Sequence, residues 1–280
     1  MRTSVIVLAL VAALVLLTAS AWAVTPGPTS ENWENWAAYP GPIHQQKSGS
    51  GWANDNNNYW NGVNQSDKHA DVIQPEYQGN QFLAIYGTST TSASRNFNES
   101  LWTASNLWYC LDYTIQGAFT GTATIYVNQG STQAAQIEFL TDKKINYRGP
   151  VTTLIGYWDG RNADGSANPD LNFLNNWGHI CFNLNVPLKT YSLYAGDPSD
   201  GSMTTVFTNK AFRNAVTQVD HVQFLGGKTG NNDWDYGYTG VDNIHLLLSD
   251  TNPCVPEPSS LLALATGLIG LGGLVIRRKR

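Results

Sequence analysis

The sequence predicts an all-β fold, an antiparallel two-sheet sandwich, with an apolar segment at each end of the chain. Short runs rich in β-branched and aromatic residues recur through the central part, separated by turns of Gly, Asn and Asp. In several runs apolar and polar residues alternate, which is typical of antiparallel strands that bury one face. Apolar residues at helical spacing are nearly absent. Eight to ten such strands with few helices favour two sheets packed face to face.

Nine segments are predicted strands, and one short helix is predicted around residues 210–214. The segment 179–186 gives the strongest strand signal, because its apolar residues Ile180 and Phe182 fall on one face. The other face carries His179 and Cys181. The strands are expected at residues 81–86, 107–115, 123–127, 135–140, 145–147, 154–158, 179–186, 216–225 and 241–248.

The chain begins with a pattern typical of a secretory signal peptide. Arg2 and the amino terminus are positive, residues 5–17 are an unbroken apolar run, and small residues lead to Ala21 and Ala23. The run is shorter than the roughly 20 residues that span a bilayer as a helix. We therefore expect residues 1–23 to direct export through the Sec machinery, and a signal peptidase to cut after Ala23. An uncleaved amino-terminal anchor is the alternative.

The carboxyl terminus combines a proline motif, an uncharged apolar segment and a basic tail. Residues 259–276 would rise about 27 Å as a helix, close to the hydrocarbon thickness of a bilayer. A transmembrane helix is therefore predicted there, with the basic tail on the cytoplasmic side. The prolines cannot continue a helix and predict a stiff, extended site outside the membrane. The motif is Val255, Pro256, Glu257 and Pro258, and the tail is Arg277, Arg278, Lys279 and Arg280.

This order of three parts over residues 255–280 resembles the PEP-CTERM sorting signal of Gram-negative bacteria. The resemblance implies an inner-membrane intermediate, cleavage near the proline motif by the membrane protease exosortase, and delivery to the cell surface or the extracellular matrix. A plain tail anchor without cleavage is the alternative. A sorting signal reports a destination, so it leaves the activity of the rest of the chain open.

Residues 24–254 remain between the two ends and are expected to form one β-sandwich domain. The whole chain has a net charge of −5, and four of its 16 Lys and Arg residues lie in the basic tail. The exported part is therefore distinctly acidic and lacks a basic block in its sequence. This composition argues against nucleic acid as a partner.

The three cysteines, Cys110, Cys181 and Cys254, enter an oxidising compartment on export, where disulfides form. Cys110 and Cys181 both fall in predicted strands, so a bridge between them is a candidate, although spacing alone leaves the pairing open. Cys254 lies beside the proline motif and is either an unpaired thiol or a link to another chain. The sequence contains no Cys and His spacing typical of a zinc site.

Two segments at the ends of the central domain point to a more specific fold. Residues 31–36 are acidic and aromatic, and residues 240–246 contain an Asp-Asn-Ile sequence. Together with residues 107–113, they resemble the jelly-roll carbohydrate-binding modules with a galactose-binding-like fold. The resemblance implies an antiparallel two-sheet jelly-roll sandwich, whose last strand pairs beside the first, and a polysaccharide ligand. A concanavalin-like sandwich is the alternative.

The same modules often hold a structural calcium ion between their first and last strands, and Ca²⁺ prefers oxygen ligands. The matching ligands here are Glu31 or Glu34, together with Asp242. A second candidate is an oxygen-rich loop, although Arg161 takes one of the ligand positions of the usual calcium-loop pattern. Ordinary turn chemistry is the alternative for both, and no other cofactor is expected. The loop residues are Asp159, Asn162, Asp164, Ser166, Asn168 and Asp170.

Tryptophan is the most conspicuous candidate for ligand contact. A flat aromatic ring packs on the C–H face of a sugar, while nearby Asn, Asp and Gln bond its hydroxyls. Four tryptophans stand in polar, loop-like surroundings and are predicted sugar contacts, the alternative being that they pack in the core. They are Trp52, Trp60, Trp158 and Trp234.

Catalysis has little support in the sequence. The five histidines lie outside any nucleophile-elbow or zinc-protease motif. The acidic residues cluster in turns, and acids in predicted strands, such as Asp112 and Glu138, are few. We therefore expect a non-catalytic protein that binds extracellular polysaccharide. The alternatives are a purely structural surface protein and a secreted polysaccharide hydrolase or lyase.

Overall fold

The computed structural model describes residues 29–31, 41–42, 60–62, 69–73, 81–117, 120–197, 203–228, 237–250 and 253. Most of this part of the chain is β structure, and its one helical element is a 3₁₀ turn at Glu99–Leu101. The side chain of Asn98 caps that turn by accepting a hydrogen bond from the Ser100 amide. The described residues therefore confirm the predicted all-β fold.

Eighteen strands make up this β structure. Many of them are rich in Thr, Tyr, Val and Ile, which favour a pleated, half-buried backbone. Gly130 adopts a φ of 53°, which helps the chain turn tightly between the eighth and ninth strands. In chain order the strands are β1 (Thr29–Glu31), β2 (Gly41–Pro42), β3 (Asn61–Gly62), β4 (His69–Ile73), β5 (Phe82–Tyr86), β6 (Thr91–Asn96), β7 (Leu107–Gly117), β8 (Thr122–Gln129), β9 (Thr132–Leu140), β10 (Lys144–Arg148), β11 (Thr152–Tyr157), β12 (Asp159–Asn162), β13 (Ala167–Asn172), β14 (Gly178–Asn185), β15 (Thr190–Gly196), β16 (Thr204–Ala211), β17 (His221–Gly226) and β18 (Gly237–Leu248).

The strands form two antiparallel sheets. Sheet 1 has the order β16-β15-β14-β7-β18-β5-β4-β2, with β1 also pairing with β18. Sheet 2 has the order β13-β12-β11-β10-β9-β8-β17-β6-β3. The chain meanders through β8 to β13 within sheet 2, but elsewhere it passes repeatedly from one sheet to the other, as in a jelly roll. The first described strand lies beside the last, with Glu31 paired to Ile244, which is the pairing that the jelly-roll resemblance implies.

Aromatic side chains fill the space between the sheets. Tyr113 of β7 stacks on Phe139 of β9 with ring centroids 4.8 Å apart, and Tyr147 of β10 lies 5.6 Å from Tyr191 of β15. Each such pair contributes about 0.5–1.5 kcal/mol beyond the apolar area that it buries. The Tyr191 hydroxyl also donates to the Gln136 carbonyl at 3.1 Å. The two sheets are therefore joined by both apolar packing and hydrogen bonding.

All nine predicted strands overlap observed ones, namely β5, β7, β8, β9, β10, β11, β14, β17 and β18. Six further strands of four or more residues are missing from the prediction: β4, β6, β12, β13, β15 and β16. In β6 the buried positions are Thr91, Ala93 and Arg95, so the alternation of burial is not an alternation of apolar residues. Such a strand depends on its neighbours in the sheet more than on its own sequence.

The predicted helix at residues 210–214 is wrong. β16 runs through Ala211, and the next residues are not helical. Phe212 is buried against Tyr191, with ring centroids 6.1 Å apart, and its amide donates to the Lys189 carbonyl at 2.7 Å. These contacts with the rest of the sandwich outweigh the local preference for helix.

The predicted signal peptide at 1–23, the proline motif, the transmembrane helix at 259–276 and the basic tail lie outside the described residues, as does Cys254. Within the described ranges, no helix is long and apolar enough to cross a membrane.

Candidate functional site on the outer faces of the sandwich

The face of each sheet that points away from the sandwich interior carries a connected polar cluster. Along β7, Tyr113 points toward the other sheet, so Cys110 and Asp112 lie on the outer face by alternation. Along β9, Phe139 points inward, so Glu138 lies on the outer face. The strands thus sort apolar from polar side chains on both sheets.

The first cluster, which we call the cysteine–histidine cluster, lies in the middle of sheet 1 and comprises Cys110, Asp112, His179, Cys181 and His245. The strand register places Cys110 opposite Cys181, and Asp112 opposite His179. The two cysteines form a disulfide with a Cα–Cα distance of 4.1 Å. The bridge whose pairing the sequence leaves open is therefore present.

His179 connects a carboxylate to the disulfide. Its Nδ1 lies 2.5 Å from Asp112 Oδ1, and its Nε2 lies 3.3 Å from Cys181 Sγ. The carboxylate favours the ring proton on Nδ1, which leaves the lone pair of Nε2 directed toward the sulfur. His179 is only 7% exposed and Asp112 only 9%, so solvent screens this contact little.

Strand β18 completes the cluster on the other side of β7. A β-bulge follows Asp242, and beyond it His245 is paired with Cys110. Asn243 lies in the bulge with a φ of 47°, and its Nδ2 donates to Asp112 Oδ2 at 2.7 Å. Both oxygens of the Asp112 carboxylate are therefore engaged, one by a histidine and one by an amide.

His245 presents a neutral imidazole to the cluster. Burial lowers its pKa below the usual range, and the neighbouring His179 lowers it further, against a smaller opposite effect of Asp112. The lowered pKa keeps the ring uncharged at neutral pH. Its Nδ1 is buried and meets no hydrogen-bond partner in the described part of the chain.

The second cluster, which we call the arginine–glutamate cluster, lies on the outer face of sheet 2 and comprises Gln136, Glu138, Arg148 and Arg213. Arg148 Nε lies 2.7 Å from Glu138 Oε2, a close ion pair whose angle is not that of a good hydrogen bond. Gln136 Nε2 donates to Glu138 Oε1 at 2.7 Å, and the Arg213 guanidinium donates to Gln136 Oε1. One carboxylate and one amide thus connect two guanidinium groups.

The same face continues across β8 and β17. Tyr126 is paired with Gln136 on one side and with Gln223 on the other, and it is half-buried. Asn128 Nδ2 donates to Gln223 Oε1 at 3.2 Å and lies 3.2 Å from His221 Nε2. An aromatic ring therefore stands among amide, imidazole and guanidinium groups on this surface.

An open cleft of about 360 Å³ lies at the end of β18. Across it, Asn106 Nδ2 donates to Asp250 Oδ1 at 2.5 Å. The described part of the lining offers hydroxyl, amide and carboxylate groups and no aromatic ring, whereas the arginine–glutamate cluster lies beside Tyr126. The lining residues are Ser100, Thr103, Ala104, Ser105, Asn106, Leu248, Ser249 and Asp250.

Trp60, a predicted sugar contact, lies in the core. It is 0% exposed, its ring stacks on Phe224 with centroids 6.4 Å apart, and the Arg95 guanidinium carbon lies 5.7 Å from its ring centroid. A ring without an exposed face cannot stack on a ligand, so the prediction for Trp60 is corrected. The residues next to Trp60 in the sequence are polar, but they do not reveal that its own side chain points into the core.

Trp158 is corrected for the same reason. It is 5% exposed, and its indole N–H donates to the Leu140 carbonyl at 2.8 Å. This bond satisfies the polar tip of the ring while its apolar body packs in the core. The other two predicted contacts, Trp52 and Trp234, lie outside the described residues.

The predicted calcium ligands of the terminal strands are partly described. Asp242 is 3% exposed in β18, close to the pair formed by Glu31 and Ile244. Glu34 lies outside the described residues. A calcium ion between the first and last strands therefore stays a prediction.

The oxygen-rich loop that is the second calcium candidate forms the β12–β13 hairpin. Asp159 accepts from Arg161 Nε at 2.9 Å and lies 3.3 Å from Lys143 Nζ. Asp164 Oδ1 accepts from Ser166 Oγ at 2.6 Å. These oxygens stabilise the hairpin itself, in keeping with the alternative of ordinary turn chemistry.

Only some residues of the two clusters can be predicted from the sequence. Within the predicted strand 135–140, Gln136 and Glu138 alternate with apolar residues, which indicates a polar outer face. Arg148 and Arg213 come from other segments, and only the folded sheet brings them to that face. The same holds for Asp112 and His179, which are far apart in sequence and adjacent in register.

Comparison with known proteins identifies the carboxyl terminus. Residues 255–279 match the PEP-CTERM protein-sorting motif, which confirms the resemblance seen in the sequence. The motif indicates an exported protein that is sorted to the cell surface, and it implies processing by an exosortase. No curated protein matches the chain in sequence.

Some solved structures resemble the chain at low identity. A sialidase aligns with a TM-score of 0.47 and 11% identity, over 76% of this chain and 19% of that protein. Lectin II from Ulex europaeus aligns with a TM-score of 0.42 and 14% identity, over 70% of this chain and 94% of the lectin. A Trypanosoma rangeli sialidase in complex with sialic acid aligns with a TM-score of 0.43 and 14% identity, over 69% of this chain and 31% of that protein. The chain thus spans less than a fifth of the first sialidase, and none of these similarities bears on its activity.

Proposed function

We propose that this chain is an exported cell-surface or extracellular-matrix protein whose sandwich binds polysaccharide without catalysis, through the outer face of sheet 2. The observation that carries the proposal is the arginine–glutamate cluster, in which Glu138 and Gln136 hold Arg148 and Arg213. The half-buried ring of Tyr126 lies beside it.

The chemistry of the cluster suits sugar hydroxyls. Guanidinium groups donate several hydrogen bonds in fixed directions, while the buried Gln136 amide serves to hold them, since it donates to Glu138 and accepts from Arg213. Arg148 keeps 37% of its side chain exposed although its Nε lies against Glu138, so it is positioned before a ligand arrives. A side chain that is already positioned loses less conformational entropy when a ligand binds to it.

The same contacts favour binding over hydrolysis. Glycoside hydrolysis by the common mechanisms needs two carboxyl groups placed on either side of the scissile bond, one of them ready to give a proton. The Glu138 carboxylate is engaged by Arg148 and by Gln136, so it would have to leave both to act as an acid. A hydrolase or lyase is therefore the less favoured alternative.

The ends of the chain supply the route to the cell surface. In this proposal residues 1–23 enter the Sec pathway and are removed after Ala23, and residues 259–276 hold the protein in the inner membrane of a Gram-negative cell. Exosortase then acts near the Pro256-Glu257-Pro258 motif, within the segment that matches the sorting signal. The sandwich meets its polysaccharide after this step.

The test is a glycan-array screen of the full chain in detergent, run with calcium and again with a chelator. Selective binding that Arg148→Ala abolishes, and that Lys210→Ala on β16 leaves intact, supports the proposal. Loss of binding with the chelator alone supports a structural calcium held by Glu31 or Glu34 with Asp242. A blank array in both conditions favours the alternative of a purely structural surface protein.

A further inference from the structure

We infer that, when the disulfide is reduced, Cys110, Cys181 and His179 bind a thiophilic divalent cation such as Zn²⁺. In this site Asp112 holds the histidine from behind, and His245 supplies the fourth ligand. The site is distinct from the proposed sugar-binding surface, because it lies on the other sheet.

The ligand geometry is present before any metal arrives. The Sγ atoms of Cys110 and Cys181 and a ring nitrogen of His179 all lie within 4.8 Å of one another, and the three residues are buried. Tetrahedral zinc with thiolate and imidazole ligands separates neighbouring ligand atoms by about 3.5–3.8 Å. His179 Nε2 already lies 3.3 Å from Cys181 Sγ, so reduction chiefly has to let the two sulfur atoms separate.

The neighbouring carboxylate has the arrangement that metal-binding histidines commonly use. Asp112 Oδ1 holds Nδ1 of His179 at 2.5 Å, which leaves Nε2 as the nitrogen able to bind a cation. Asn243 holds the other carboxylate oxygen at 2.7 Å, so Asp112 is itself fixed. A carboxylate in this place raises the basicity of the imidazole and sets its orientation.

We assign the fourth position to His245, which lies outside the group of three ligand atoms and would have to approach it. Strand pairing sets His245 opposite Cys110, on the side away from Cys181. Its Nδ1 is buried and finds no hydrogen bond among the described residues, which is costly for a polar atom unless it has a further partner. A cation between these strands would supply that partner.

The charges also balance. One divalent cation and two thiolates are neutral together, so the buried site takes on no net charge when the metal enters as the thiols lose their protons. The same two residues therefore join β7 to β14 in either of two ways: by a covalent bond in the oxidised chain or by a shared metal in the reduced chain.

The chemistry needs an external dithiol. The dithiol gives two electrons and two protons to the Cys110–Cys181 bond, which becomes two thiols, while the dithiol closes to its own disulfide. The cation then binds both sulfur atoms, and the two thiol protons pass to water. No other oxidant or reductant takes part.

This site cannot be recognised from the sequence, because its cysteines are 71 residues apart. Zinc sites recognisable from sequence place ligands a few residues apart in one loop. Here, adjacent strands bring the ligands together, so only their register reveals the set.

The test is a cobalt titration of the full chain in detergent, carrying Cys254→Ser so that the third cysteine takes no part. The chain is reduced with a dithiol, freed of it without oxygen, and titrated with Co²⁺. We expect one equivalent to produce a thiolate-to-cobalt charge-transfer band and the intense visible bands of tetrahedral cobalt, both abolished by Zn²⁺. The oxidised chain should produce neither.

Variants identify the ligands. Cys110→Ser should remove the charge-transfer band or weaken it by half, and His179→Ala should lower the cobalt affinity. Asp112→Asn should lower it by about 10- to 100-fold, the range found for residues that hold a metal ligand from behind. His69→Ala, on β4 of the same sheet, is the matched control and should change nothing. Near-ultraviolet circular dichroism checks that each variant is folded.

Three results would overturn the inference. The first is a reduced chain that shows no thiolate band at one equivalent of cobalt. The second is an identical titration for Cys110→Ser or His179→Ala. The third is a reduced chain that loses its near-ultraviolet signal and does not regain it with cobalt or zinc, since the strands would then not hold the ligands together.

Discussion

Arg148 Nε lies 2.7 Å from Glu138 Oε2, and the two side chains differ sharply in exposure, 37% for the arginine against 9% for the acid. A nearly buried carboxylate thus fixes the base of a guanidinium that still reaches solvent. Because Gln136 holds the second oxygen of Glu138, the acid has little freedom to move away. The affinity of the proposed surface for a ligand should therefore depend on Glu138, although this buried acid has little contact with the ligand itself.

Glu138→Gln should therefore weaken glycan binding without removing any group that the ligand meets directly. The neutral amide keeps the shape of the acid but loses the charge whose attraction holds the Arg148 guanidinium in place. We expect a loss of affinity of about tenfold or more in isothermal titration with the glycan that the array selects. Glu99→Gln, on the 3₁₀ turn, is the control. If the affinity of Glu138→Gln for the glycan is unchanged, the arginine–glutamate cluster is not part of the binding surface.

The Cys110–Cys181 disulfide should contribute a large share of the stability of the chain. It closes a segment of 71 residues, and the restriction of the unfolded chain by a loop of that length is expected to contribute about 4 kcal/mol. The double variant Cys110→Ala/Cys181→Ala should lower the free energy of unfolding by this amount in urea titrations with a chelator present. A dithiol should lower the stability of the parent chain to the same level and leave the double variant unaffected. Equal stability of the two oxidised proteins would contradict the prediction.

The sequence predicts the fold better than the site because the two depend on different kinds of information. The alternation in residues 179–186 follows from local burial, and β14 forms there. In contrast, Trp60 stands among polar residues in the sequence but lies in the core, because the orientation of a side chain depends on the register of the strand that carries it. The cysteine–histidine cluster depends on register in the same way, since β14, β7 and β18 each supply part of it.

Trp60→Ala should destabilise the chain and leave its binding specificity unchanged. The ring is fully buried against Phe224, and removing such a ring from a core costs about 3–5 kcal/mol. We expect this loss in the free energy of unfolding measured by urea titration, and a smaller loss for Trp60→Phe, which keeps an aromatic ring. The folded fraction of either variant should bind the same glycans as the parent chain. A selective loss of glycan binding at unchanged stability would restore Trp60 as a ligand contact.

Asp159 should make the β12–β13 hairpin sensitive to acid. Arg161 donates to both of its oxygens, at 2.9 and 3.0 Å, and Lys143 lies 3.3 Å away, so these cations hold the pKa of the Asp159 carboxyl below its usual range, against a smaller opposite effect of burial. A carboxyl whose pKa is lower in the folded chain stabilises the fold above its unfolded pKa of about 3.9. That contribution is lost as the pH falls through the lower, folded pKa. Asp159→Asn should therefore reduce the urea midpoint most above about pH 5, and the difference from the parent chain should shrink toward pH 2.

The matched control for this effect is the same substitution in an Arg161→Gln background, where the main partner of the carboxylate is already gone. The cost of Asp159→Asn should be smaller there, and the difference between the two costs measures the coupling of the pair. Because Arg161 also packs on the ring of Tyr157, with its guanidinium carbon 4.4 Å from the ring centroid, Arg161→Gln alone should cost more stability than the lost ion pair accounts for. The difference in urea midpoint between Asp159→Asn and the parent chain could instead stay constant from pH 2 to pH 7. That result would show that the substitution removes hairpin packing and not the effect of the ionised carboxylate.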